Sequence, residues 1–393
     1  ALKREAYPVA MNQKGKKILR TIYSMQGVSR PCLLKMSRYT PPTLYRIIDE
    51  LVRDGYVVVS GTGDEGGKGR PTDLLSLNGA LGQVAALHIS RTAFSCAVLD
   101  FSDRMLACRR HTIEPSLTPG QWAAAVRADL NEMCAQLGLA PSALRGAGLA
   151  AVGPLDYKGG DMLGPLYFAS PHWGRVPIRT LAEQTLGLPT LLDCNARAAL
   201  MGHYRGSYYE KHRNLAYITV GTGIGSGLIL GRQLDANPSV VLDGLAHMII
   251  DVDGRKCTCG EYGCLEAYVS THAIVGQCVQ ALRLGRPSSM RAHQDELCFS
   301  HVCQAAQSGD ALALEQLQQA AAILAKAIVN YLRMVSLEAV ILGGSLIEQM
   351  PAFFDTVCGL VAAKGLGVEL YKARDEDAAI LHGIAGEVVL QQL

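Results

Sequence analysis

The hydrophobic period of this chain changes once, near residue 80, and that change limits what it can fold into more than any other feature. Before it, apolar residues recur at helical spacing: Ile18, Leu19, Ile22 and Tyr23 within Lys14–Ser24, then Leu33, Leu34 and Met36 behind Ser29 and Pro31, then Leu44, Ile47, Ile48 and Leu51 between Thr40 and Asp54. Gly27 and Gly55 break the first and third of these runs. Tyr56–Ser60 and Thr72–Leu77 read as strands on either side of a glycine-rich tip, Gly61–Gly69. Three helices and a hairpin within 80 residues make a winged helix-turn-helix. From Gly82 onward strands alternate with helices: Val84–Ile89, Phe94–Phe101, a helix over Gln121–Leu137, Gly146–Val152, and a short strand ending at Asp193 ahead of a helix over Ala196–Tyr204. A second cycle opens at Leu215–Val220, continues through a helix over Ala311–Val335 and ends in a strand over Glu338–Leu342. Such alternation requires parallel or mixed sheets covered on both faces, and its repetition predicts two α/β lobes around a ligand cleft.

The expected division is a winged head over 1–80, a first lobe over 81–195 completed by a C-terminal helix over 380–393, and a second lobe over 196–379. Charge follows this division. Residues 1–75 hold thirteen Lys+Arg against seven acids, a surplus of six, while the whole chain carries only +2, so the remainder is mildly acidic. A basic head on an acidic body is the electrostatic footprint of a protein that sets one end on a polyanion. Leu2 is followed at once by Lys3, Arg4 and Glu5, which is not a signal peptide, and Lys326 and Asn330 interrupt the apolar stretch Ala320–Leu332. The expectation is a cytoplasmic protein without membrane insertion.

Within the motif, the third helix is the one that enters the major groove, N-terminal side chains first. It presents Thr40, Pro42, Thr43, Tyr45 and Arg46, of which Arg46 suits a guanine edge or a phosphate and Tyr45 the backbone. Lys68 and Arg70 flank Gly69 at the wing tip and suit a narrow, A·T-rich minor groove of duplex DNA.

The segment Cys257-Thr258-Cys259-Gly260-Glu261-Tyr262-Gly263-Cys264 packs three thiols into eight residues with glycines at its turns. His247, ten residues upstream, would complete a tetrahedral Cys₃His site, with His272 a rival on the other side. Four protein ligands leave no place for an activated water, so the implied ion is a structural Zn²⁺.

Taken together, Gly221-Thr222-Gly223-Ile224-Gly225-Ser226-Gly227, then His247, then Cys257-x-Cys259-Gly260-x-x-Gly263-Cys264-Leu265-Glu266 closely resemble the ROK family of repressors and sugar kinases. Asp193-Cys194-Asn195 resembles the family's Asp-x-Asn motif and Ile341-Leu342-Gly343-Gly344 its C-terminal glycine turn. The head through Gly69-Arg70-Pro71 is similar to that of the family's sugar-responsive repressors. The resemblance implies an actin-like, ribonuclease-H-type pair of sugar-kinase-like lobes. It also implies an effector site for a sugar or sugar phosphate made by Asp193, Asn195, His247 and Glu266, with Asp193 at the position of the kinases' catalytic base. The kinases' Asp-x-Gly-Gly-Thr phosphate turn is His88-Ile89-Ser90-Arg91-Thr92 in this chain, so both glycines and the metal-holding acid are absent. The family's Glu-x-Gly-His is Gly244-Leu245-Ala246-His247, and Ala169 stands where an asparagine precedes the pocket tryptophan, if that is Trp173.

These features lead to the expectation of a DNA-binding repressor of carbohydrate genes, a dimer or tetramer on a two-fold operator, without catalysis. An effector in the cleft would control it, or a sugar-transport protein, the latter being implied only by the resemblance. The alternative is an ATP-dependent sugar kinase with an accessory head.

Overall fold

The structure is a computed structural model and describes residues 12–63, 72–235 and 243–393. In the head, α1 (Gln13–Met25) starts where Asn12 accepts the Gly15 amide at 2.9 Å and buries Ile18, Leu19, Ile22 and Tyr23. After the two-residue β1 (Val28–Ser29), the Ser29 hydroxyl caps α2 (Arg30–Met36) by accepting from the Cys32 amide. Of the residues expected to face inward from α2, only Leu33 is fully buried. The third helix, α3 (Pro41–Arg53), buries Leu44, Ile47, Ile48 and Leu51 along one face. Strands β2 (Val57–Gly63) and β3 (Thr72–Leu77) pair antiparallel, and β1 adds to β3 through Val28 and Leu75. The winged helix-turn-helix read from the sequence is therefore present.

The first lobe is built on β4 (Gln83–Ile89), β5 (Ala93–Asp100), β6 (Met105–Thr112), α4 (Pro119–Gln136), β7 (Ala147–Ala151), small strands β8 (Leu155–Asp156), β9 (Asp161–Leu163) and β10 (Arg175–Val176), α5 (Ile178–Leu186), β11 (Thr190–Cys194) and α6 (Asn195–Ser207). Its main sheet runs β11-β7-β4-β5-β6, with β4, β5 and β6 antiparallel and β7 and β11 parallel to β4. Every residue of β5 is buried, as a strand covered on both faces requires. Trp122 and Trp173 sit in this core edge to face, and the Trp173 indole donates to the Leu117 carbonyl at 2.8 Å. Trp173 is thus a packing residue within the lobe.

The second lobe follows the same plan. Its sheet runs β14 (Gln233–Leu234), β13 (Ile224–Leu230), β12 (Leu215–Val220), β15 (Ala339–Gly343), β16 (Glu369–Lys372), again three antiparallel strands and two parallel ones. Helices α7 (Glu266–Val269), α8 (Thr271–Arg283), α9 (Phe299–Gln307), α10 (Ala311–Met334), α11 (Ser345–Gln349) and α12 (Pro351–Ala362) complete it, with α10 contributing much of its core. Numbered by appearance, both sheets read 3-2-1-4-5, the duplicated ribonuclease-H-type lobe. No helix among the described residues is long and apolar enough to cross a membrane.

The chain divides into one unit comprising residues to Lys211 together with Asp377–Leu393, and a second comprising His212–Glu376. The sequence expectation set the change of lobe at 195/196 and the return at 379/380. The longer first unit has a physical reason, since α6 is held by the C-terminal helix (Glu376–Gln392) through glycines. A methyl group on Gly202 of α6 would lie 1.9 Å from the Ala379 carbonyl oxygen, and one on Gly383 would lie 1.7 Å from that of Ala198. The two backbones touch where both side chains are absent. Gly383→Ala is expected to destabilise the protein by about 3 kcal/mol and lower the melting temperature by roughly 6–12 °C. Gly359→Ala in α12, where a methyl group meets nothing within 4 Å, is expected to leave stability unchanged or raise it slightly, and thermal unfolding distinguishes the two.

Candidate functional site

The candidate nucleic-acid face of the head is the side of α3 away from its buried stripe. Thr40 and Arg46 are exposed and Thr43 and Tyr45 half-buried. The Thr40 and Thr43 hydroxyls pair at 3.0 Å, so the start of the helix is held by side chains that can also turn outward to a phosphate. Arg46, 66% exposed, is steadied by Glu50 at 2.8 Å. Arg30 lies over the Tyr45 ring at 5.7 Å and binds Asp49 at 2.7 Å, which fixes the ring. Lys68 and Arg70 lie outside the described residues.

In the first unit, β11 delivers Asp193 to the N-terminal end of α6. The carboxylate is buried, and the Arg197 Nε donates to both of its oxygens at 2.8 and 3.1 Å while the Cys194 amide adds a bond at 2.8 Å. Burial raises the carboxyl above its ordinary range, against the opposing pull of Arg197 and the amide. The guanidinium and the amide between them occupy lone pairs on both carboxylate oxygens. Asn195 donates to the Ile89 carbonyl at 3.1 Å, and its Oδ1 is buried with no partner. A buried acceptor left unsatisfied costs about 1–3 kcal/mol, so this atom is a point at which a polar ligand gains.

The turn after β4, where the resemblance places a phosphate loop, is closed by its own side chain. The Ser90 hydroxyl donates to the Ala93 carbonyl at 2.9 Å and accepts the Ala93 amide at 3.1 Å, and the Arg91 Nε donates to the Leu166 carbonyl at 3.0 Å. At the position of the kinases' acid, the His88 Nδ1 meets Asp377 at 2.5 Å, and Ser95 and Arg110 bind the same carboxylate at 2.9 and 3.4 Å. Burial alone would push Asp377 up; the histidine, the hydroxyl and Arg110 together hold it below the ordinary carboxylate range.

In the second unit, His247, Cys257, Cys259 and Cys264 bring their ligand atoms within 4.8 Å of one another. The His247 Nδ1 lies 3.6 Å from the Cys257 Sγ, and the Cys259 and Cys264 sulfurs are 3.7 Å apart. A tetrahedron with arms of about 2.3 Å to sulfur and 2.0–2.1 Å to nitrogen has edges of roughly these lengths, so the four donors fit a zinc-sized ion. His247, rather than His272, joins the thiols among the described residues. Burial pushes the Cys264 thiol up to about 12, so close thiolates at this point require a cation. Gly263 makes the knuckle possible: its φ is +73°, and a methyl group there would lie 1.7 Å from the Asp251 carbonyl oxygen.

Glu266, at the start of α7, accepts the Ile224 amide at 2.9 Å and the Thr258 hydroxyl at 3.3 Å, tying the glycine turn to the knuckle. Asp243 takes the Ser226 hydroxyl at 2.9 Å and the Leu245 and Ala246 amides at 3.0 and 3.1 Å, and it also binds the Ser226 amide. Two amides of the Gly221–Gly227 segment are therefore already held by protein carboxylates. Asp243, Arg197 and Asp377 are residues that sequence reasoning missed. For Asp243, an acid four residues before a histidine ligand was the available signal.

A winged head followed by two duplicated ribonuclease-H-type lobes, with a Cys₃His cluster in the second, defines a sugar-kinase-like architecture preceded by a winged helix-turn-helix. The family model described as "ROK family" matches residues 84–376, and the chain belongs to the ROK family. It is 22% identical over 385 residues to a xylose repressor of Caldicellulosiruptor bescii, covering 96% of this chain and 95% of that one. It is 30% identical over 269 residues to an N-acetylmannosamine kinase of Yersinia pseudotuberculosis, covering 67% of this chain and 83% of the kinase. Among solved structures, a ROK family transcriptional regulator homologous to the E. coli Mlc protein superposes with a TM-score of 0.72 at 21% identity, over 97% of each chain.

Asp377→Asn tests the cluster that has replaced the phosphate-site acid. Because the folded-state acidity of Asp377 is stronger than the unfolded, its stabilisation is present above about pH 4 and lost as pH falls through the depressed value. The variant is expected to be less stable than wild type at pH 7, with the gap closing below about pH 4, as read by denaturant titration at each pH.

Proposed function

We propose that this chain is a sugar-responsive transcriptional repressor of carbohydrate genes, binding an operator through α3 and its wing and released by a sugar or sugar-phosphate effector. The observation that carries this reading is the outward face of α3, where Thr40, Thr43, Tyr45 and Arg46 stand opposite Leu44, Ile47, Ile48 and Leu51. The match to a xylose repressor along nearly the whole chain supports it and makes D-xylose the first effector to test. Lys68 and Arg70 extend the contact into the minor groove, and a dimer or tetramer sets paired heads on a two-fold operator. Asp193 and Asn195 from the first lobe, and His247 and Glu266 from the second, are the groups that would bind sugar hydroxyls. Asp193 would accept a hydrogen bond from the hydroxyl it once deprotonated.

His247, Cys257, Cys259 and Cys264 would hold one Zn²⁺, which supplies a rigid cross-link and no catalytic step. Phosphotransfer is lost in this reading. The kinases' acid has become His88, whose imidazole is committed to Asp377, and Ser90 and Arg91 fill the turn whose amides would have faced phosphate.

Genomic fragments retained by the protein supply the operator, and fluorescence anisotropy then measures its affinity with D-xylose, D-glucose, N-acetylmannosamine and their phosphates. Arg46→Ala is expected to weaken operator binding by about 1–3 kcal/mol, roughly 5- to 150-fold. At least one sugar should weaken wild-type binding. If wild type retains no DNA, the repressor reading fails. ADP release that disappears in Asp193→Asn would establish the kinase reading instead. Zinc is expected at about one per chain and to be lost in Cys259→Ser, as measured by elemental analysis.

A further inference from the structure

Arg205 is a fully buried cation at the seam between head and first lobe. One guanidinium nitrogen donates to the Tyr23 hydroxyl of α1 at 3.1 Å, with the guanidinium 5.0 Å over the same ring. The other terminal nitrogen bonds the His382 carbonyl of the C-terminal helix and lies 3.6 Å from Asp103. Asp103, at the turn between β5 and β6, also receives Gln26 from the end of α1 and the His382 ring at 3.2 Å. Burial raises the carboxyl of Glu387, while Arg205 opposes that shift. The space is made for this one side chain, since a methyl group on Gly386 would lie 1.0 Å from the Arg205 guanidinium. Such a group is costly to bury, and removing one partner of it strands the rest. A solvated arginine would have served if α6 needed only to end here.

The other end of the same helix carries Arg197 and Asp193. Arg205 follows Arg197 by eight positions, about 12 Å of helix. The backbone contacts at Gly202 and Gly383 join α6 to the C-terminal helix, which supplies His382 and Glu387 to the seam. At Arg205 itself the helix ends in a kink, with ψ of 141° there and φ of 73° at Gly206.

We propose that Arg205 is the positioning residue through which α6 couples the Asp193–Arg197 pair to the DNA-binding head. It rests on the reading of Asp193 as an effector contact only for its biological meaning. The coupling itself is a property of this chain. Loss of the Arg197 clamp lets the N-terminal turn of α6 shift; the paired helices carry the shift; and α1 feels it because Arg205 grips Tyr23 while Asp103 holds Gln26. The recognition helix packs on α1 and follows it.

Hydrogen exchange on the full chain, with neither DNA nor sugar, tests this. Arg197→Gln is expected to accelerate amide exchange in α1 by about fivefold or more, within the usual range of coupling between sites. The amides of β5 serve as the control for global stability. In a Tyr23→Phe, Gln26→Asn background, which removes the hydroxyl bond to Arg205 and shortens the amide that reaches Asp103 while the ring stays under the guanidinium, Arg197→Gln should accelerate α1 exchange markedly less. Arg197→Lys, which keeps a cation beside Asp193, should restore most of the wild-type rate. The proposal is overturned if α1 ignores Arg197→Gln, or if the acceleration is the same in both backgrounds. Failure here leaves the repressor reading standing, and failure of DNA retention leaves this result untouched.

Discussion

The contact on which the first unit depends is the crossing of α6 with the C-terminal helix, where Gly202 and Gly383 let two backbones meet without side chains. It brings the last residues of the chain back beside β11 and α6, completing a unit whose other residues end at Lys211, about 165 residues earlier. From this crossing follow the positions of Asp377 beside His88, and of His382, Gly386 and Glu387 around Arg205. A fold whose lobe is closed by a distant segment acquires its seams only when that segment docks.

Much of the architecture was legible because it rests on period and punctuation. The head announced itself through helical spacing at Ile18–Tyr23 and Leu44–Leu51 and through capping at Ser29. The knuckle was legible because three thiols among glycines have few other uses, and the structure joined His247 to them. Strand β6 was not read, since toward its end half-buried Arg109 and His111 alternate with exposed Cys108, Arg110 and Thr112 in the manner of an exposed edge. The crossing that holds α6 to the first unit was not legible because glycines inside a helix signal weakness locally and a close crossing only in three dimensions. Arg205 was illegible for a related reason: a single charged residue reads as solvated until its partners, far off in sequence, are known.

The turn after β4 and the turn after β12 are each closed by internal hydrogen bonds, in two different ways. In the first, side chains replace glycines, so Ser90 bonds across its own turn and His88 takes a carboxylate partner. In the second the glycines remain, yet Glu266 and Asp243 hold amides at Ile224 and Ser226. In both turns the polar groups are spent on hydrogen bonds within the protein, which fixes the turn.

The buried guanidinium between head and lobe also bears on how such chains can be recombined. A winged module spliced from another relative would bring its own first helix, and unless that helix carried a hydroxyl at the place of Tyr23 and an amide at the place of Gln26, Arg205 and Asp103 would be sealed in with their partners missing. The winged module and the seam beneath it therefore form one structural piece, and exchanging the head alone would leave that seam short of partners.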